Sequence, residues 1–254
     1  MTETPVTPSH PKPERVNILG FPIDRVSVPE TRNLFKDFLQ SSGQTHLVLT
    51  ADSNAYINAA TDKNYARMFS EASLITPDSA GPVWALERLG KPVSGRVSGV
   101  DLVEVLCDLS QETGARVYFL GAAPGVAEAA AKSLQERFPS MVVAGYRDGY
   151  FKKEEDREIA ATIAETKPDI LMVAMGMPRQ ELYILDTADI IQAKIGIGVG
   201  GSFDVHSGTV KRAPKIFQKI RMEWLWRLIL NPKKFDKVKN LPAFYWRVRR
   251  SKPQ

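Results

Sequence analysis

Short apolar runs alternate with helix-patterned stretches along most of this chain, and that alternation leaves few folds open to it. The runs are "THLVLT" (45–50), "ASLIT" (72–76), "ARVYFLGA" (115–122), "SMVVAG" (140–145), "DILMVAMG" (169–176) and "AKIGIGVG" (193–200). Between them lie amphipathic segments such as "GVAEAAAKSLQERF" and "KEEDREIAATIAETK". Apolar runs of strand length, separated by segments of helical period, predict strands buried on both faces and joined by helices, hence an α/β domain with a largely parallel sheet. "SVPE" at 27–30 has Ser three residues before Glu and Pro in the first turn, which predicts a helix start for "ETRNLFKDFLQ". "VNILGFPID", just before it, predicts a short hairpin entering the domain.

In an open α/β sheet, ligands bind outside the carboxyl ends of the strands, where loops lead into helices. Five loops therefore carry the functional reading: "TADSN" (50–54), "TPDSAG" (76–81), "GAAPGV" (121–126), "MGMPRQE" (175–181) and "GVGGSFDVHSG" (198–208). The third and fifth are glycine-bearing turns ahead of helices, where exposed backbone N–H groups favour a phosphate. Neither matches the dinucleotide fingerprint or the P-loop, so a tight strand-to-helix turn is an equal reading. Two such loops on one sheet fit a nucleotide diphosphate. Gln180, in the fourth loop, can hydrogen-bond a base or ribose; a solvated first helical turn is the plain alternative. Asp52 and Asp78 each have two readings as well: a helix cap stabilised by the macrodipole, or a carboxylate that accepts a proton from an attacking hydroxyl.

Charge divides the chain. From Val205 onward there are fourteen Lys and Arg against Glu223 and Asp236, a net of +12, which leaves −7 for residues 1–204. The stretch from 212 to 250 mixes cations with Phe217, Trp224, Trp226, Phe244 and Trp246, and carries more apolar surface than one docking face needs. That mixture fits insertion at an anionic membrane surface, with an ordinary core helix and a nucleic-acid patch as alternatives. The single cysteine, Cys107, excludes a disulfide within the chain and has the spacing of a core position. His10, His46 and His206 lack metal-ligand spacing. The first residues, "MTETPVTPSHPKPE", have four prolines and no apolar run, and read as a disordered leader. The expected organisation is a leader over 1–14, an α/β core over 15–204 and a basic, amphipathic appendage over 205–254.

The loops, taken in order, resemble one family. "TADSN", "LITPDSAGPVWALERLG" followed by "GRVSGVDL", "VAMGMPRQE" and "GVGGSFDVHSGTVKRAP…MEWLWRLILNP" are similar to the WecG/TagA/CpsF glycosyltransferases, glycosyltransferase family 26, from about Val16 to Arg247. The resemblance implies a Rossmann-like fold with a basic helical appendage at the C-terminus. It implies an inverting transfer of a sugar from a UDP-sugar to a polyprenyl-diphosphate-linked sugar, at the cytoplasmic face of the cell membrane, in surface polysaccharide assembly. Carried over residue by residue, Asp78 matches the general base, Thr50 and Asp52 match the acceptor-pocket motif, and Gln180 matches the nucleotide-facing glutamine. Arg212, Arg221 and Arg227 match the arginines that hold the acceptor diphosphate.

With the glycine loops, the expected nucleotide-sugar site comprises Gly121, Gly125, Gly176, Gln180, Gly200, Gly201 and Asp204. Two positions depart from the family pattern: Ser79 stands for glycine, and Asp52 for asparagine, so a second carboxylate shares the pocket and competes with Asp78 as base. The small residues after Asp78 are expected to leave room for the sugar. No D-x-D pair occurs, so neither metal nor other cofactor is expected, and leaving-group charge falls to helix N-termini and arginines. A nucleotide-sugar-binding protein without turnover remains the alternative. Nucleic acid is not an expected partner, and the sequence leaves oligomeric state open, a homo-oligomer included.

Overall fold

A computed structural model describes residues 9–211, 214 and 240–251. The chain enters as a hairpin, β1 (Glu14–Ile18) paired antiparallel with β2 (Phe21–Arg25), where "VNILGFPID" predicts one. Helix α1 (Val28–Gln40) follows, opened by the expected capping box: Ser27 caps Glu30 and the Glu30 side chain returns to Ser27. Within the expected leader, the His10 N–H donates to Asp37 of α1.

The central sheet has six parallel strands, β3 (His46–Ala51), β4 (Leu74–Pro77), β5 (Arg116–Gly121), β6 (Val142–Arg147), β7 (Ile170–Ala174) and β8 (Ile195–Gly198). Their order across the sheet is β4-β3-β8-β7-β5-β6. The helices between them are α2 (Ser53–Ala59), α3 (Lys63–Glu71), α4 (Ala80–Arg88), α5 (Gly99–Thr113), α6 (Val126–Arg137), α7 (Asp156–Glu165), α8 (Arg179–Ile191) and α9 (Ser202–His206). Near the C-terminus lies α10 (Leu241–Arg250). This is the α/β arrangement with a parallel sheet expected from the alternation, and the Rossmann-like fold that the family resemblance implies.

Alternate residues of each strand enter opposite layers, as the pleat requires. Leu47, Leu49, Ile75, Leu120, Leu171 and Val173 pack with α2, α3, α4, α7 and α8 on one face. Val48, Leu74, Val117, Phe119, Ile170, Met172, Ile195 and Ile197 pack with α1, α5, α6 and α9 on the other. Cys107 belongs to the second layer, and burial pushes its thiol up to about 12, which leaves it an inert core residue. The hairpin guards an open edge: buried Asp24 of β2 is held by Arg15 and accepts the Ile75 N–H of edge strand β4 at 2.8 Å.

The C-terminal basic segment is partly core. Phe244 is fully buried, its ring 5.9 Å from Tyr56 of α2, and Val248 one turn on is buried with it. Tyr245 meets Trp84 of α4 edge-on. Only Trp246 of this aromatic cluster is strongly exposed, at 55%, with Arg250 stacked over its ring. The expectation that Phe244 inserts into a membrane is therefore corrected: it closes the α2/α4 layer of the domain. Phe217, Trp224 and Trp226 lie outside the described residues, and among those described no helix is long and apolar enough to cross a membrane.

Candidate active site

Strands β3 and β4 are neighbours and end in register, Ala51 opposite Pro77. The next residue of each is a carboxylate, Asp52 and Asp78. The Asp78 N–H donates to the Ala51 carbonyl at 3.2 Å, so the two acids leave the sheet side by side, both partly exposed. What holds them differs. Asp52 is the N-cap of α2, accepting the Ala55 N–H at 2.9 Å, which is the plain capping reading of "TADSN". The N-cap of the helix that follows Asp78 is Ser79. The Asp78 Oδ1 accepts the Gly99 N–H, at 2.9 Å, from the first turn of α5.

That bond explains "GRVSGVDL". Ser98 caps α5 through the Asp101 N–H, and the neighbouring N–H, on Gly99, is left to hold Asp78. The Val97 N–H donates to the Pro77 carbonyl and Thr76 Oγ1 to the Val97 carbonyl, so the turn before α5 is laced to the end of β4. Ser98 and Gly99 were readable only as part of a family motif; the S-x-x-D cap at 98–101 is the local signal for them.

The small residues after Asp78 serve packing. At Gly81 a side chain would overlap Ser53 of α2 and crowd Phe244 of α10, so the missing Cβ lets α4 lie against both helices. The expectation that Gly81 makes room for a sugar is corrected accordingly. Ser79 occupies the N-cap position of α4 without a side-chain cap bond, and its buried hydroxyl has no hydrogen-bond partner.

Thr50 is buried, and its Oγ1 donates to the Gly198 carbonyl at the end of β8, at 2.9 Å. It joins the β3 and β8 ends. The glycine loops cluster beside this seam. Gly121 sits with φ +122, tight against the backbone of Ala174, where any side chain would collide; here the close approach is between β5 and β7. Gly125 is the left-handed N-cap of α6, with no side-chain cap. Gly201 occupies the N-cap position of α9, whose first turn contains Asp204. Asp204 also anchors the following turn, its carbonyl accepting the Val210 N–H at 2.8 Å.

Gln180 is the hinge of the arrangement. Its side chain is buried, and its Oε1 accepts two backbone N–H groups, from Gly176 at 3.0 Å and Gly200 at 3.1 Å. Its Nε2 donates to Glu181 at 2.7 Å. The amide therefore ties the β7–α8 turn to the β8–α9 turn. Glu181, unread as a site residue from sequence, is fully buried, and its carboxyl is pushed up to about 7, chiefly by burial and further by the charge of Asp52. In "MGMPRQE" three successive polar residues look like a solvated helical turn, and nothing local marks the last two as buried. Arg179 is committed elsewhere, paired with Asp156 and stacked over Phe151. Arg212, Arg221 and Arg227 lie outside the described residues.

The arrangement thus sets two adjacent carboxylates and a buried threonine at the carboxyl ends of β3 and β4, on the same end of the sheet as the glycine turns that lead into α6, α8 and α9. A carboxylate oriented by a backbone N–H can take part in proton transfer, and helix N-termini are suited to anionic oxygens.

The sequence matches the profile described as the Glycosyl transferase WecG/TagA/CpsF family over residues 16–254. Among its relatives, an N-acetylglucosaminyldiphosphoundecaprenol N-acetyl-beta-D-mannosaminyltransferase of Bacillus spizizenii is 36% identical over 197 residues, covering 78% of this chain and 76% of the relative. A Staphylococcus aureus protein of the same name is 32% identical over 239 residues, covering 94% of this chain and 93% of the relative. With the parallel sheet, the paired carboxylates after β3 and β4 and a match that runs nearly the length of the chain, this protein belongs to the WecG/TagA/CpsF family and is a glycosyltransferase.

Proposed function

We propose that this enzyme transfers an N-acetylmannosamine-type or glucose-type sugar from a UDP-sugar to a hydroxyl of a polyprenyl-diphosphate-linked sugar, with inversion, in surface polysaccharide assembly. The observation that carries the reading is Asp78, set at the carboxyl end of β4 beside Asp52 with Oδ1 held by the Gly99 N–H. The mannosaminyl and diphosphoundecaprenol terms in the relatives' names favour an N-acetylmannosamine donor and a lipid-diphosphate acceptor.

In this scheme Asp78 takes the proton of the acceptor hydroxyl as that oxygen bonds to the anomeric carbon and the bond to UDP breaks. A sugar hydroxyl has a pKa far above 7, so attack needs a base within hydrogen-bond reach. A single displacement inverts the anomeric centre. Thr50 and Asp52 border the acceptor side. The departing diphosphate gains negative charge, and the N-terminal turns of α6 and α9, at Gly125 and Gly201, would meet it with N–H groups and helix dipoles, Gly200 shaping the second turn with its own N–H held by Gln180. Arg212, Arg221 and Arg227 would hold the acceptor diphosphate. The basic C-terminal segment would bring the enzyme to the anionic inner face of the membrane, where such an acceptor resides.

The test is a UDP-release screen of several UDP-sugars against a short-chain prenyl-diphosphate-linked N-acetylglucosamine acceptor, with the product identified by mass. One donor should give an acceptor heavier by one sugar. UDP binding with no donor turned over would favour the alternative, a nucleotide-sugar-binding protein without catalysis.

A further inference from the structure

Gln180 and Glu181 form a buried polar pair that is costly to place in a folded core. Glu181 is fully buried, its Oε2 has no hydrogen-bond partner, and no Lys, Arg or His among the described residues pairs with it. The charged and titratable groups that face it are Asp52, beyond the end of β3, and Tyr65 of α3. Elsewhere around α8, Arg179 is turned to Asp156 of α7, and Arg67 of α3 pairs with Asp186. An apolar residue of similar size would be cheaper to bury. The sheet itself makes space for the pair, because any side chain at Gly198 would overlap both Glu181 Oε1 and Gln180 Nε2.

The pair does one thing that an apolar residue cannot. The Gln180 amide must present oxygen, not nitrogen, to the Gly176 and Gly200 N–H groups. A rotated amide would set its NH2 against two backbone donors. Glu181 accepts from Nε2 and so holds the amide in the productive sense. Resting on the donor-site reading above, we propose that Glu181 is a positioning residue: through the Gln180 amide it fixes the β8–α9 turn, which meets the donor's diphosphate, against the β7–α8 turn. Glu181 touches neither substrate nor reacting atoms. It acts through Gln180, and Thr50 registers β3 on the same Gly198 from the other side.

The test compares full-length wild type with E181L, E181Q, Q180L and the double variant E181L/Q180L. The readouts are UDP affinity by calorimetry, donor KM and kcat, thermal midpoint, and hydrogen exchange at Gly176 and Gly200. E181L should weaken UDP binding by about tenfold and raise donor KM with kcat changed by less than about threefold, without lowering the midpoint. E181Q keeps an acceptor oxygen and should bind UDP within about threefold of wild type. The double variant should be no worse than the worse single one, because both remove one device.

UDP affinity of E181L within about twofold of wild type, with unchanged exchange at both glycines, would overturn the proposal. So would an equal loss in E181L and E181Q that tracks a lowered midpoint. If E181L does not fold, E181M fills the same space more pliantly and is judged by the same criteria. If wild type itself does not bind UDP, the donor reading fails. Exchange at Gly176 and Gly200 then still decides the brace, faster in E181L if it holds and unchanged if it does not.

Discussion

Asp52, Asp78 and Glu181 show three fates of a carboxylate near one sheet edge. Asp52 caps its own helix, Asp78 is held by the N-terminus of a distant one, and Glu181 is buried without a cation. Burial raises the Glu181 carboxyl from its ordinary 4.5 to about 7, against the lowering effect of the Gln180 hydrogen bond, and the Asp52 charge adds to the rise. The folded chain therefore keeps this proton at pH values where the unfolded chain has released it. Its contribution to stability is complete below about 4.5 and is lost as pH rises through about 7. Relative to E181Q, wild type should lose up to about 3 kcal/mol across that interval, read by urea denaturation at a series of pH values. Parallel pH profiles for the two proteins would show that Glu181 does not titrate in this window.

The parallel strands were legible because burial on both faces leaves continuous apolar runs, and α1 was legible from its Ser27 and Glu30 capping box. The order β4-β3-β8-β7-β5-β6 has no local signature, since strands paired in space are separated by more than a hundred residues in the case of Thr50 and Gly198. Gly81 and Phe244 were misread for the same reason: each answers to a partner remote in sequence, and Phe244 lies on a helix rich in arginine. That Asp52 and Asp78 follow strand ends was legible from their loops; the hold on Asp78 by Gly99 was not.

Helix α10 yields a paired prediction. F244A empties a fully buried ring site against Tyr56 and Gly81 and should cost about 3–5 kcal/mol by denaturation. W246A removes an exposed ring and should change stability by less than about 0.5 kcal/mol while weakening sedimentation with anionic vesicles. Equal destabilisation by the two would contradict the division of α10 into a core face and a free face.

Over its full length the protein separates charge, −7 before Val205 and +12 from it onward, so the basic end is suited to face an anionic surface while the strand-end loops belong to the rest. Vesicle binding should accordingly fall as salt rises, measured by flotation at increasing ionic strength. Protein donors are expected to carry the leaving-group charge, so activity should survive EDTA within about twofold. A strict requirement for added Mg²⁺ or Mn²⁺ would contradict that. The claim on which the mechanism stands is that Asp78, rather than its neighbour Asp52, accepts the proton. The initial rate of sugar transfer at saturating donor and acceptor tests it in D78N and D52N, both of which keep the shape of the side chain. D78N should fall by about a hundredfold or more with UDP affinity unchanged, and D52N, still able to cap α2, should fall by far less; near-normal turnover by D78N, with D52N inactive, would contradict the assignment.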